Sequence, residues 1–282
     1  MADFIGNVIK IGNDTLTLED KNALKKSFGT EYVGNVLVVG EDGNVTTKSV
    51  TLLTNPFAGM KYCAVGDSIT YGVGASDNSK RWADLLVAKL NLDTASYQNL
   101  GVSNTTITVT NDTDNSICNR IIKSNIASDC ELITLMGGVN DFHLGRTLGT
   151  FEDSLTYFKS NGKWETTNFC GALCAIIDYV HTKRPNAHLI VLTPMHYENE
   201  YVENSQGKIL LDYVQAIRDI CEYFAVYVVD CYRDLPIDAK NAEQKSLYTS
   251  NGVVADGIHP SDKGHEAIAN MVANRLKFNY IL

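Results

Sequence analysis

From about residue 60 onward, short apolar runs alternate with longer segments whose apolar residues recur every three or four positions. The runs 61–66, 95–100, 131–137, 187–193 and 225–231 include several that are apolar almost throughout, as strands covered on both faces must be. Segments 80–91, 116–128, 168–184 and 205–224 carry the helical period. A last helix over about 261–277 opens on Pro260-Ser261-Asp262 and aligns Ala267, Ile268, Met271, Val272 and Leu276 on one stripe. Crossovers between parallel strands are right-handed and must cover the sheet, so this alternation predicts an α/β fold with helices on both faces. At 282 residues and 44% hydrophobic content, the chain can bury one large core, or a core and a small appendage.

Residues 1–55 differ in texture. Asn35 to Val39, a Gly-containing stretch Gly40 to Asn44, and Val45 to Thr47 predict a hairpin. Val8 to Leu18 predicts a further short strand or two, and Leu18 to Ser27 a helical turn or two. Such a β-rich piece is too small to hold its own core. The expected division is therefore a segment 1–55, which packs on the body, contacts another subunit in a homo-oligomer or is the tail of a longer assembly, and a body 56–282.

Four segments stand out, each after an apolar run: Gly66-Asp67-Ser68-Ile69-Thr70, Asn99-Leu100-Gly101, Gly137-Gly138-Val139-Asn140-Asp141 and Asp256-Gly257-Ile258-His259-Pro260. Alone, Gly-Asp-Ser reads as an ordinary strand-to-helix cap, since Asp and Ser both satisfy orphan amides. Together, in this order, the four resemble the sequence blocks of the SGNH hydrolases, the GDSL-like esterase/lipase family, with Ser68, Gly101, Asn140 and His259 at the four lettered positions. The resemblance covers roughly residues 60–277. Ile69 replaces the commoner Leu, a volume-conserving change. It implies a three-layer α/β/α sandwich around five parallel strands in flavodoxin-like order, and no cofactor or metal.

The residues themselves supply the chemistry such a family needs. Acyl transfer requires a nucleophile, a base, and donors where the carbonyl oxygen becomes negative. Ser68 is the candidate nucleophile and His259 the base, with Asp256 three residues earlier able to reach the other ring nitrogen and orient it. Gly101 offers a backbone amide that substrate can approach closely, and Asn140 a neutral side-chain donor; the Ser68 amide makes a third. Asp67 and Asp141 are read as braces of their turns, with Asp141 the second choice after Asp256 to orient the histidine. His143 and His196 follow strand-like runs without an Asp at matching spacing and rank as pocket wall; His181, His188 and His265 look like helix or surface positions. Tyr71, His196 and Tyr197 complete the expected substrate pocket. The sequence lacks Gly-x-Ser-x-Gly, which disfavours the α/β-hydrolase elbow.

The net charge is −9, from 24 basic and 33 acidic residues without a basic cluster, which argues against nucleic acid and anionic lipid as partners. No apolar run reaches the roughly 18 residues that mark a candidate membrane span. The start shows no basic or apolar leader pattern, making the cytoplasm the default compartment. Seven cysteines, four in or beside apolar segments, read as free thiols, and Cys170 with Cys174 lacks a second pair for zinc. Tyr197, Tyr201, Tyr232 and Tyr248 beside Asn and Glu suit a sugar better than a long acyl chain. The expected activity is therefore hydrolysis of short-acyl, O-acetyl carbohydrate esters. The alternatives are a lysophospholipase- or thioesterase-like lipid esterase, and a glycan-binding or assembly protein with secondary hydrolase activity.

Overall fold

The five apolar runs become five strands of one parallel sheet. In the computed structural model, which describes residues 3–5, 8–11, 14–17, 35–39, 45–49, 55–123 and 126–279, these are β6 (Tyr62–Gly66), β7 (Gln98–Gly101), β8 (Leu132–Met136), β9 (His188–Leu192) and β10 (Tyr227–Val229). Their spatial order is β10-β9-β8-β6-β7, and every pairing is parallel. This is the doubly wound, flavodoxin-like order. The chain reverses direction across the sheet between β6 and β8, and at such a switch point the strands' carboxyl ends leave a crevice for ligand.

The preceding strands belong to a separate compact unit, Met1–Thr54, against Asn55–Leu282 for the body. There β1 (Asp3–Ile5), β2 (Val8–Ile11) and β3 (Asp14–Thr17) form an antiparallel sheet. A second antiparallel pair joins β4 (Asn35–Val39) to β5 (Val45–Ser49), with Val39 opposite Val45. The expected turn at Gly40–Asn44 and the helical turn at Leu18–Ser27 lie outside the described residues.

Alternation along the central strands splits the core in two. Cys63, Val65, Ile133, Leu135, Leu189 and Val191 face one cluster, with the helices Ile117–Ile122 (α3), Phe169–Lys183 (α6) and Leu210–Tyr223 (α7). Tyr62, Ala64, Leu132, Met136, Ile190 and Leu192 face the other, with Trp82–Lys89 (α2) and Asp262–Asn279 (α10). Covering both faces is why these strands read as continuous apolar runs rather than alternating ones. All seven cysteines are free and buried, and they pack as small apolar side chains.

All five strands are shorter than the predicted runs, β7 and β10 the most clearly. β7 begins three residues late because Asp93 holds a turn, accepting from the Ala95 amide at 3.0 Å. β10 is bounded by Ala225 in the left-handed region, φ 55°, and by Asp230, which caps the helix Cys231–Asp234 (α8). Helices Ser68–Tyr71 (α1), Val139–His143 (α4), Phe151–Asn161 (α5) and Ala242–Tyr248 (α9) complete the body. No helix among the described residues is long and apolar enough to cross a membrane.

Candidate active site

Ser68 is the first residue of α1, directly beyond the end of β6. Asp67 caps that helix by accepting from the Ile69 amide at 2.9 Å. The loop before α10 brings up the other partners. His259 Nε2 lies 2.9 Å from Ser68 Oγ, and His259 Nδ1 lies 2.6 Å from Asp256 Oδ2. Asp256 Oδ1 meanwhile accepts from the backbone amides of Ile258 and His259, both at 3.0 Å. Burial raises the Asp256 pKa, but the bond with His259 and these two amides outweigh it and hold the carboxyl below its ordinary value. Asp256 therefore stays ionised beside the ring. A hydroxyl, an imidazole and a fixed carboxylate in this chain can pass the serine proton to the ring and stabilise the imidazolium that results.

Ser68 and His259 line a cavity of about 330 Å³ with Val73, Ser103, Asn104, Val139, Asn140, His143, Tyr197 and Ile258. Among the expected pocket residues, Tyr197 is therefore in the wall, its ring edge-on to His143 at 6.3 Å. His196 is not: its Nδ1 is held 2.9 Å from Glu200 Oε2, away from the cavity. Tyr71 also lies outside the wall, at the end of α1 with 55% of its surface exposed.

The oxyanion donors fare differently. Asn140 borders the cavity and spends one amide hydrogen on the Thr105 carbonyl at 2.9 Å, which leaves its second hydrogen for another acceptor. Gly101 requires a correction. Its N–H donates to Asn99 Oδ1 at 2.9 Å, and the residue is buried outside the cavity wall. What demands glycine there is packing: an added Cβ would lie 2.1 Å from the Tyr71 backbone nitrogen. The turn that does reach the cavity is Ser103–Asn104, with Asn104 in the left-handed region at φ 65°. Asn tolerates this conformation better than most side chains, the one sequence-level hint of such a turn.

Three buried groups that sequence reasoning missed or only partly described support the site. Arg120 donates to the carbonyls of Gly66 and Leu100 and to Thr105 Oγ1, pinning the ends of β6 and β7 to the turn. Asp141, expected as a brace, braces across 33 residues: it accepts from the amides of Ile107 and Thr108 and from Thr108 Oγ1. His265, expected on a helix or at the surface, sits on α10 but is fully buried. Its Nδ1 accepts from the Trp82 amide at 3.2 Å, and its Nε2 donates to the Val73 carbonyl at 3.3 Å. Burial pushes it down to about 4, so it holds this cavity-wall residue as a neutral ring.

With this geometry in place, the family model for GDSL-like lipases and acylhydrolases matches residues 64–267. The chain belongs to that family. It is an ester hydrolase. Among solved structures, a protein from Lactobacillus plantarum superposes with a TM-score of 0.66 at 25% identity, over 79% of this chain and 99% of that one. A possible lipase from Chitinophaga pinensis does so at 0.57 and 23% identity, over 76% and 96%. An acetyl-xylooligosaccharide esterase from Geobacillus reaches 0.50 at 20% identity, over 80% and 97%. No curated protein matches the chain.

Proposed function

We propose that the chain hydrolyses short-acyl, O-acetyl esters of carbohydrates through an acyl-enzyme on Ser68. The observation that carries this reading is the Ser68–His259–Asp256 chain at 2.9 and 2.6 Å, opening on a cavity of about 330 Å³. His259 Nε2 takes the Ser68 proton as Oγ attacks the ester carbonyl. The Asn140 amide and the Ser68 backbone amide, with the Ser103–Asn104 turn beside them, meet the oxyanion. His259 then gives its proton to the departing alcohol oxygen. Water repeats the cycle, surrendering a proton to His259, attacking the acyl carbon and releasing Ser68 and the acid.

Short acyl groups follow from the size and walls of the site. Its volume stands near the low end of the roughly 300–1,000 Å³ usual for ligand pockets, and Val73, Val139 and Ile258 supply small apolar walls. A sugar as the alcohol is supported by a mainly polar cleft next to this cavity, lined by threonine, serine, asparagine, aspartate and arginine with Val102 and Leu144. The fold shared with an acetyl-xylooligosaccharide esterase is compatible with this reading, which rests on the cleft. A p-nitrophenyl ester series from acetate to palmitate tests the acyl part. The expected result is a steep fall in kcat/KM beyond four carbons. Equal or better turnover of palmitate would refute it.

A further inference from the structure

The polar cleft contains a guanidinium that meets no acceptor among the described residues. It encloses about 280 Å³ between the turn Val102–Thr106, the loop residues Thr110 and Asp114–Ser116, and Arg146. Ser103 and Asn104 line both this cleft and the cavity holding Ser68, so one turn separates the two spaces. The backbone of Arg146 is fixed at both ends: its amide donates to the Asp141 carbonyl at 2.8 Å, and its carbonyl accepts from the Tyr213 hydroxyl. Its guanidinium, by contrast, meets no acceptor among the described residues, and its Nε is buried without a partner.

No other arginine is in this position. Arg81, Arg218, Arg233 and Arg275 pair with carboxylates, while Arg120 and Arg184 donate to backbone carbonyls. Asp114, the carboxylate lining the cleft, does not pair with Arg146. Its oxygens accept from Thr110 N and Oγ1, Asn111 N, Ser116 N and Asn119 Nδ2, an arrangement that shapes the loop and meets its charge. A partly desolvated guanidinium without an acceptor is costly, and its planar fork matches a carboxylate.

Building on the esterase reading, we propose that this cleft seats the alcohol part of the ester and that Arg146 selects a sugar bearing a carboxylate, a uronate. Around it the exposed Ser103, Asn104 and Asn115 side chains suit sugar hydroxyls, whereas the hydroxyls of Thr105, Thr106 and Thr110 donate within the chain. The lining holds one guanidinium, no lysine and the hydrogen-bonded carboxylate Asp114, so it tolerates the single charge of a carboxylate far better than the charge of roughly −2 on a phosphate. The position beside Ser68 lets an acyl group on that sugar enter the neighbouring cavity.

The test compares matched O-acetylated methyl glycosides, a galacturonide and a galactoside, with the wild type, Arg146→Gln and Arg146→Lys. The wild type should prefer the galacturonide through a lower KM. Loss of a charge-assisted contact worth about 1.5–3 kcal/mol predicts a KM rise of about 10- to 150-fold for the galacturonide in Arg146→Gln. The ratio of the two kcat/KM values should then fall to near one, with Arg146→Lys between. Calorimetric titration of the Ser68→Ala protein with free galacturonate and free galactose reads the cleft without turnover, and only galacturonate should bind measurably. No preference in the wild type, or equal changes for both glycosides in Arg146→Gln, overturns the proposal. Failure of the wild type to hydrolyse p-nitrophenyl acetate would instead refute the esterase reading, and the titration would still decide the role of Arg146.

Discussion

Replacing Gly101 by alanine separates a packing role from an oxyanion role. The added carbon would lie 2.1 Å from Tyr71 N, 2.5 Å from the Thr70 carbonyl carbon and 2.6 Å from Tyr71 Cα. All three are backbone atoms of the segment that begins with Ser68, so no side chain can rotate aside. Gly101 is also paired in register with Gly66, and Ser68 follows Gly66 by two residues. Restoring ordinary contact therefore requires α1 and β7 to separate by more than about 1 Å. Overpacking of this kind costs about 1–3 kcal/mol, and the upper end applies where only backbone can yield. For a body of this size that lowers Tm by roughly 6–12 °C. A shift near 1 Å of Ser68 against His259 costs about 10²-fold in rate. Thermal melting and p-nitrophenyl acetate kinetics on Gly101→Ala measure both. An unchanged Tm with activity within threefold of wild type would refute the packing argument, because alanine keeps the backbone amide and removes only the space.

Asn140→Ala should lower kcat by about 10²–10³-fold with KM little changed, as expected for a donor that acts on the oxyanion; a change confined to KM would make Asn140 a recognition residue. Asp67 gives a stability prediction with a definite sign. Burial pushes its carboxyl up to about 6 from 3.8, so the stability it contributes is present below about pH 3.8 and lost as the pH rises through about 6. Asp67→Asn keeps the Oδ1 cap and removes the titration, so it should exceed wild type by up to about 3 kcal/mol at pH 8 and match it near pH 4. A pH-independent difference in denaturant unfolding would contradict this.

The sheet was legible because burial on both faces leaves a run of consecutive apolar residues, as in Tyr62–Gly66 and Leu132–Met136. Ser68, Asp256 and His259 were legible because their chemistry lies in short segments at strand and loop ends. Helix α5 was not, because its stripe of Phe151, Leu155 and Phe158 is only half-buried against the core and is diluted by polar residues, with Ser154 its single fully buried side chain. Gly101 misled because a glycine required by a neighbouring backbone looks, in sequence, like one required by substrate. Asn104 left only the hint of a left-handed turn and Arg146 no trace, because the cleft is built from segments some 40 residues apart, and a missing partner is visible only in three dimensions. His265 looked peripheral because the loop that covers it, through Val73, comes from the opposite end of the body.

The central claim is that Ser68, activated by His259, carries the acyl group. Mass spectrometry after reaction with a fluorophosphonate tests it most directly. One adduct should form on the peptide containing Ser68, disappear in Ser68→Ala together with ester hydrolysis, and form far more slowly in His259→Ala. An adduct on another residue, or turnover retained by Ser68→Ala, would contradict the account.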